Sequence, residues 1–205
     1  MPLVTAHKGF LHFFNVLDPR ANPGLYAPWQ GDVVRQSPPR WMSRPYRLTG
    51  LGSALAGARW SVKGLMPTIY ASTDPITLNA EAYYKGLRYG WTAADFSAQL
   101  RVGMHWELQA VVDLTTTATL NALGVTTNDI VGADWYAEQT AGCEAVTQAI
   151  ARAAFEQLAE GLVVPSARHP GGVNIVYYPS HRQDGTVIQV LDPRGLPPDT
   201  HGLDP

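Results

Sequence analysis

The chain has 205 residues, 45% of them hydrophobic and 16% charged, which suits one domain with a buried core and argues against overall disorder. Its 15 lysines and arginines against 17 acidic residues leave a formal charge of -2, so there is no bulk attraction to nucleic acid or anionic lipid. The single cysteine, Cys143, excludes an internal disulfide and a thiolate metal cage, and the six histidines show no HExxH-like spacing, so no metal is expected.

The N-terminal segment MPLVTAHKGFLHFFNVL is interrupted by His7, Lys8, His12 and Asn15. Its apolar runs are too short to span a bilayer or to form a signal sequence, so it is read as domain, and a cytoplasmic protein is expected. Residues 18 to 50 carry PRANPG, SPPR and SRPY and are expected to be irregular extended chain. On this basis residues 1–45 form a proline-rich arm packed on a domain of residues 46–205. TIYAS (Thr68 to Ser72) predicts a strand, and Thr73-Asp74-Pro75 supplies the cap and first-turn proline of a helix over about 75–88. Met104, Trp106, Leu108, Ala110 and Val112 alternate with polar residues, the period of a half-buried strand. TTTATLNALG predicts a short helix stopped by Gly124. Val146, Ala149, Ile150, Ala153, Ala154 and Leu158 recur at helical spacing, with Gly161 as the expected terminator. Strands are expected at Leu162 to Val164, Val173 to Tyr178 and Val187 to Leu191. Helices and strands mix without a regular βα repeat, which favours an α+β fold.

Four residues stand out as able to carry chemistry. Arg59 lies in the glycine-rich GLGSALAGARWSVKG and reads either as a bidentate clamp for a pyrophosphate or as a surface arginine stacked on Trp60. Tyr70 is either a ligand platform or a core tyrosine. Glu81, among Leu78, Ala80, Ala82 and Tyr83, is on the wet face of its helix or held for a purpose, because an unpaired buried carboxylate is costly. Ser166 follows an apolar run and reads as a turn or cap serine, without the GxSxG elbow of a hydrolase nucleophile.

In order and context these residues resemble the RES-domain family, the toxin component of one class of bacterial toxin–antitoxin pairs, named for its Arg, Glu and Ser. The first block stands here as GARW (Gly57 to Trp60), YAS (Tyr70 to Ser72) and Glu81, with Arg59, Tyr70 and Glu81 evenly spaced. The second is VVPSARHPGGVNIVYYPSH, which contains Ser166, Asn174, Pro179 and His181, and VVDLT lies between the blocks. The resemblance covers about residues 46–182. Ser61 stands where the family usually has asparagine, and Ala58 replaces a second glycine. The stretch from Glu81 to Ser166 is long for the family, with the surplus placed around residues 86–101 or 124–143. Arg35, Arg40 and Arg47 compete as the upstream family arginine, and Arg35, in DVVRQ, is best placed.

The resemblance implies an ADP-ribosyltransferase-like split sheet with flanking helices and NAD⁺ lying in its cleft as substrate, without a metal. It gives Arg59, Tyr70, Glu81 and Ser166 catalytic roles: pyrophosphate clamp, nicotinamide platform, carboxylate beside the nicotinamide ribose, and positioning donor. Arg35, Arg59, Tyr70, Ser166 and Asn174 would contact NAD⁺, with His181 near the same region, although by themselves Asn174 and His181 read more readily as a turn asparagine and a surface histidine. Cleavage of the nicotinamide–ribose bond as a hydrolase or phosphorylase is the expected activity; a mono-ADP-ribosyltransferase and a non-catalytic NAD-binding module are the alternatives. The implied partner is an Xre-like antitoxin that blocks the cleft, in a hetero-oligomer.

Overall fold

A computed structural model describes residues 4–37, 48–88, 90, 92 and 100–191. The first helix, α1 (Phe10–Val16), leads into a twelve-residue strand, β1 (Tyr26–Ser37). Then come α2 (Leu51–Ala56), β2 (Ile69–Ser72), α3 (Pro75–Arg88) and the long β3 (Leu100–Asp113). Three short helices follow, α4 (Thr117–Leu123), α5 (Thr127–Gly132) and α6 (Trp135–Thr140), and then α7 (Val146–Glu156). The chain closes with β4 (Gly161–Pro165), β5 (Val173–Tyr177) and β6 (Val187–Val190). The fold is α+β, as expected.

The sheet is split into two antiparallel groups. One is β1, β3 and β6; the other is β2, β5 and β4. On one side they join through parallel pairing of Val111 to Asp113 in β3 with Gly161 to Val163 in β4. On the other, among the described residues, they meet at the single pair Val34↔Ser72, between β1 and β2. That narrow seam matters below, because β1 and β2 diverge around it.

The layers follow from the apolar pattern. Along β3, Val102, Met104, Trp106 and Leu108 are buried with Val33, Ile69, Ala71, Ile175 and Tyr177 in one core. The alternation stops at Val111 and Val112, which are both buried because Val112 enters a second core on the opposite face. That second core packs Phe13 and Leu17 with Ala149, Ile150, Ala153 and Ala154 of α7, and includes Trp60 and Tyr178. It is tied together at the edge by Arg152, whose guanidinium bonds Glu144 at 2.6 and 2.8 Å and lies over the Phe10 ring.

Two local expectations are corrected. Residues 26–37 are not irregular chain: they pair with β3 from Tyr26↔Val112 to Ser37↔Leu100. The strand tolerates Pro28 because the register shifts there, between Ala27 and Trp29, so no ladder bond is asked of its missing N–H. Likewise Gly161 does not end α7. Leu158 takes the left-handed conformation (φ 61°), and the Ala159 N–H reaches back to the Ala154 carbonyl, which terminates the helix early. Gly161 instead opens β4, where a Cβ would lie 2.3 Å from the Val176 carbonyl oxygen of the neighbouring strand. Residues 38–47, with Arg40 and Arg47, lie outside the described residues, as does most of 89–99.

Candidate active site

β2 sets the axis of the site. Tyr70 and Ser72 share one face of the strand, about 7 Å apart along it. Each is hydrogen-bonded to a different part of the chain. The Tyr70 hydroxyl accepts the Trp60 N–H at 3.0 Å, whereas the Ser72 hydroxyl donates to Asn174 Oδ1 at 2.7 Å. A cavity of about 490 Å³ opens over this face, in the usual size range for small-ligand pockets. Arg35, Arg59, Tyr70, Glu81 and Asn174 all line it.

At the Ser72 end the groups converge on one carboxylate oxygen. Glu81 Oε1 accepts the Ser166 hydroxyl at 2.6 Å, the Ala167 N–H at 3.2 Å and the Asn174 amide at 3.3 Å. The Ser166 oxygen in turn accepts the N–H groups of Arg168 (3.1 Å) and His169 (3.0 Å). With its acceptor side so engaged, its one proton points to Glu81. Asn174 is fixed the same way, because Ser72 donates to its carbonyl oxygen and so turns its NH₂ toward Glu81. The helix that carries Glu81 is started by Asp74, whose Oδ1 accepts the N–H groups of Ile76 and Thr77 at 2.9 and 2.8 Å. Hydrogen bonds from Thr77, side chain first and then backbone, hold the Asp74 carboxyl below its usual range. The Thr77 hydroxyl also meets His169 Nδ1 at 2.8 Å, which ties the 166–172 loop to α3.

At the Tyr70 end the arginine loop is held by side chains from the helices before β4. Gln148, 1% exposed at the start of α7, places its amide nitrogen 3.1 Å from the Ala58 carbonyl, 3.4 Å from that of Ser61 and 3.0 Å from Gln139 Oε1. Gln139 donates to the Ala56 carbonyl at 3.2 Å. It packs so closely that a Cβ on Gly57 would fall 2.1 Å from its Oε1, and Gly57 also needs φ 75°. Arg59 is half-buried and donates from Nη1 to the Ile130 carbonyl at 2.8 Å, in the last turn of α5. Trp60 is core, 2% exposed. Burial above all raises the Tyr70 phenol far above its ordinary range, and nearby Glu81 adds to this, against the Trp60 hydrogen bond and the Arg59 charge. Tyr70 therefore stays a neutral hydroxyl.

The structure thus brings Arg35, Arg59, Tyr70, Glu81, Ser166 and Asn174 to one region. Ser166 is buried behind Glu81, and Asn174 is a strand residue, not a turn residue. His181 lies elsewhere: its ring packs 4.1 Å from that of Phe155 and its Nδ1 meets the Ala159 carbonyl at 3.0 Å. Residue-by-residue reading overlooked three cavity-lining side chains, Tyr84, Trp135 and Arg168. Tyr84 could have been found one helical turn after Glu81, and the Arg168 guanidinium lies 4.7 Å over its ring. Nothing in local spacing marks Trp135. Among the described residues no group of three or more His, Cys, Asp or Glu side chains is placed to hold a metal ion. Nor, among them, is any helix long and apolar enough to cross a membrane.

The RES-domain family model matches residues 32–199. The chain belongs to the RES-domain family. This RES domain is 30% identical over 151 residues to the NAD(+) phosphorylase MbcT of Mycobacterium bovis, a match covering 66% of this chain and 72% of that one. The MbcT sequences of two Mycobacterium tuberculosis strains match to the same extent. Its fold is also that of a chain in the crystal structure of the M. tuberculosis MbcT–MbcA toxin–antitoxin complex, with a TM-score of 0.66, 23% identity and 91% of each chain covered.

Proposed function

We propose that this RES domain is a toxin that cleaves the nicotinamide–ribose bond of NAD⁺, with phosphate as the acceptor. The observation that carries the reading is the clustering of Ser166, Asn174 and the Ala167 N–H on a single oxygen of Glu81, in the wall of a cavity that also holds Arg59 and Tyr70. Cleavage of NAD⁺ needs a fixed anion beside a ribose that becomes oxocarbenium-like as its C–N bond lengthens. Such an anion accelerates the reaction only if it is already in place, since then it stabilises the transition state without reorganising.

In this scheme three donors pin Glu81 through Oε1, and Oε2 takes the 2′-hydroxyl of the nicotinamide ribose. Ser166 and Asn174 orient the carboxylate, and Ser166 is a positioning donor, not a nucleophile. Arg59, whose Nη1 donates to the Ile130 carbonyl, brings its positive charge to the pyrophosphate, and Arg35 adds a second charge from β1. Tyr70, toward the Arg59 end, adds a flat, neutral surface. Nicotinamide departs with the electron pair of the broken bond, and a phosphate oxygen bonds to the anomeric carbon. Phosphate is favoured over water because the MbcT relatives are named phosphorylases. A partner antitoxin that blocks the cavity fits the exposed Leu51 and Tyr84 on its lining.

The test is NAD⁺ consumption by the purified chain with and without inorganic phosphate, alongside expression of the chain alone in a bacterium. Phosphate-dependent loss of NAD⁺, growth arrest, and relief of the arrest by Ser166→Ala with soluble protein still present are the expected results. Equal rates without phosphate would make the acceptor water. Arrest at constant cellular NAD⁺ would favour transfer to a protein side chain.

A further inference from the structure

The cavity has a direction. Along β2, Ser72 marks the Glu81 end and Tyr70, bonded to the Trp60 N–H, marks the Arg59 end. Trp135 lines the cavity from the first position of α6. Four residues later on the same helix face, Gln139 hydrogen-bonds the Ala56 carbonyl and packs on Gly57. The indole thus shares a helix face with the side chain that holds the 56–57 backbone, toward the Arg59 end of the cavity. Tyr136 packs against it at right angles, with ring centroids 5.7 Å apart, and steadies it. The indole is half-buried and presents apolar area to a cavity whose other end is polar.

We propose that Trp135 is the stacking platform for the adenine ring of the dinucleotide, and so a substrate-binding residue supplied by the segment of residues 124–143. The inference rests on the reading above: if the nicotinamide ribose lies at Glu81 and the pyrophosphate at Arg59, the chain of the substrate continues past Arg59 to the wall that holds Trp135. A purine needs a π surface there and little else, because stacking is tolerant of base identity and costs no hydrogen bond. Arg59 and Trp135 are also coupled through α5 and α6. The Ile130 carbonyl fixes the guanidinium and Gln139 fixes the backbone before it, so the platform and the clamp are positioned by one unit.

The experiment measures kcat and KM for NAD⁺, and the Kd for ADP-ribose by calorimetry, in the wild type, Trp135→Ala and Trp135→Phe. Trp135→Ala should raise KM for NAD⁺ and Kd for ADP-ribose together, by about 5- to 100-fold, with kcat within about twofold of wild type. Trp135→Phe, which keeps a π face, should restore most of both. An unchanged Kd for ADP-ribose in Trp135→Ala overturns the proposal. So does a fall in kcat at constant KM, which would make the indole a buttress of the arginine loop. If the wild type binds ADP-ribose through Trp135 but consumes no NAD⁺, the cleavage reading fails and the platform stands; if it consumes NAD⁺ but binds no ADP-ribose, the platform fails and the cleavage reading stands.

Discussion

The two ends of the cavity are built on different principles. At the Glu81 end, functional side chains bond one another directly: Ser166, Asn174 and Glu81 come from the loop after β4, from β5 and from α3, and Ser72 adds the outermost link. At the Arg59 end it is backbone that is held, because the carbonyls of Ala56, Ala58 and Ser61 each meet the side-chain amide of Gln139 or Gln148. The first end is therefore rigid in its chemistry and the second in its scaffold. Substitutions at the Glu81 end should act on turnover, and substitutions at the Arg59 end on binding and stability.

The largest effect expected is that of Glu81→Gln. The amide keeps the shape but loses the charge, so kcat should fall by about 10²- to 10³-fold, the cost of removing one preorganised electrostatic group. KM should change little, and a variant that turns over NAD⁺ at the wild-type rate would remove Glu81 from the chemistry. Ser166→Ala comes next. It deletes a hydrogen bond to a charged acceptor, worth about 1.5–3 kcal/mol, so a loss of about 10- to 100-fold in kcat is expected with the protein still folded. A comparable rise in KM instead would place Ser166 on the substrate and not behind the carboxylate. At the other end, Gln148→Leu leaves two loop carbonyls without their donor, at a cost of about 1–3 kcal/mol of stability. A lower melting temperature and a raised KM for NAD⁺ at near-normal kcat are expected. If kcat fell as far as in Ser166→Ala, the contrast between the two ends would be wrong.

The same contrast explains what could be foreseen from the sequence. β2, α3, α4, β4, β5 and β6 were legible because alternation, a Thr-Asp-Pro start and glycine stops are local signals. The Glu81 end was legible too, since its members lie in motif order in the two blocks. β1 was hidden, because its proline looks like a breaker until the bulge that accommodates it is known. α5 and α6 fell in the stretch left as surplus chain, yet Thr126 with Asp129 forms a capping box and Asp134 caps α6, signals that could have been used. The support of Arg59 was not legible at all. Gln139, Gln148 and Ile130 meet the 56–61 segment across 71 to 90 residues of chain, and no local pattern reports such contacts.

The smallest effect should appear at alkaline pH and involves the buried tyrosines, of which Tyr70 alone lines the cavity. Burial raises the phenols of Tyr26 and Tyr177 to about 12, with Asp18 and Glu160 respectively adding to the shift, and also holds Tyr70 and Tyr178 well above their ordinary range. In the unfolded chain all four titrate near pH 10. The folded state therefore holds these protons more tightly than the unfolded state does. Their contribution to stability is complete below about pH 10, and it is lost as the pH rises through the folded values, because the unfolded chain gives up its protons first. The urea midpoint should thus be level with respect to these groups up to about pH 10 and fall between about 10 and 12. Tyr70→Phe, which cannot ionise, should fall less steeply over that interval than wild type, and its kcat/KM should share the wild-type pH profile below pH 10, because Tyr70 is neutral there in both the free protein and the complex. A loss of activity near pH 8 or 9 that disappears in Tyr70→Phe would show that the phenol ionises in the working range, and would turn Tyr70 from a neutral surface at the Arg59 end into a titrating group of the site.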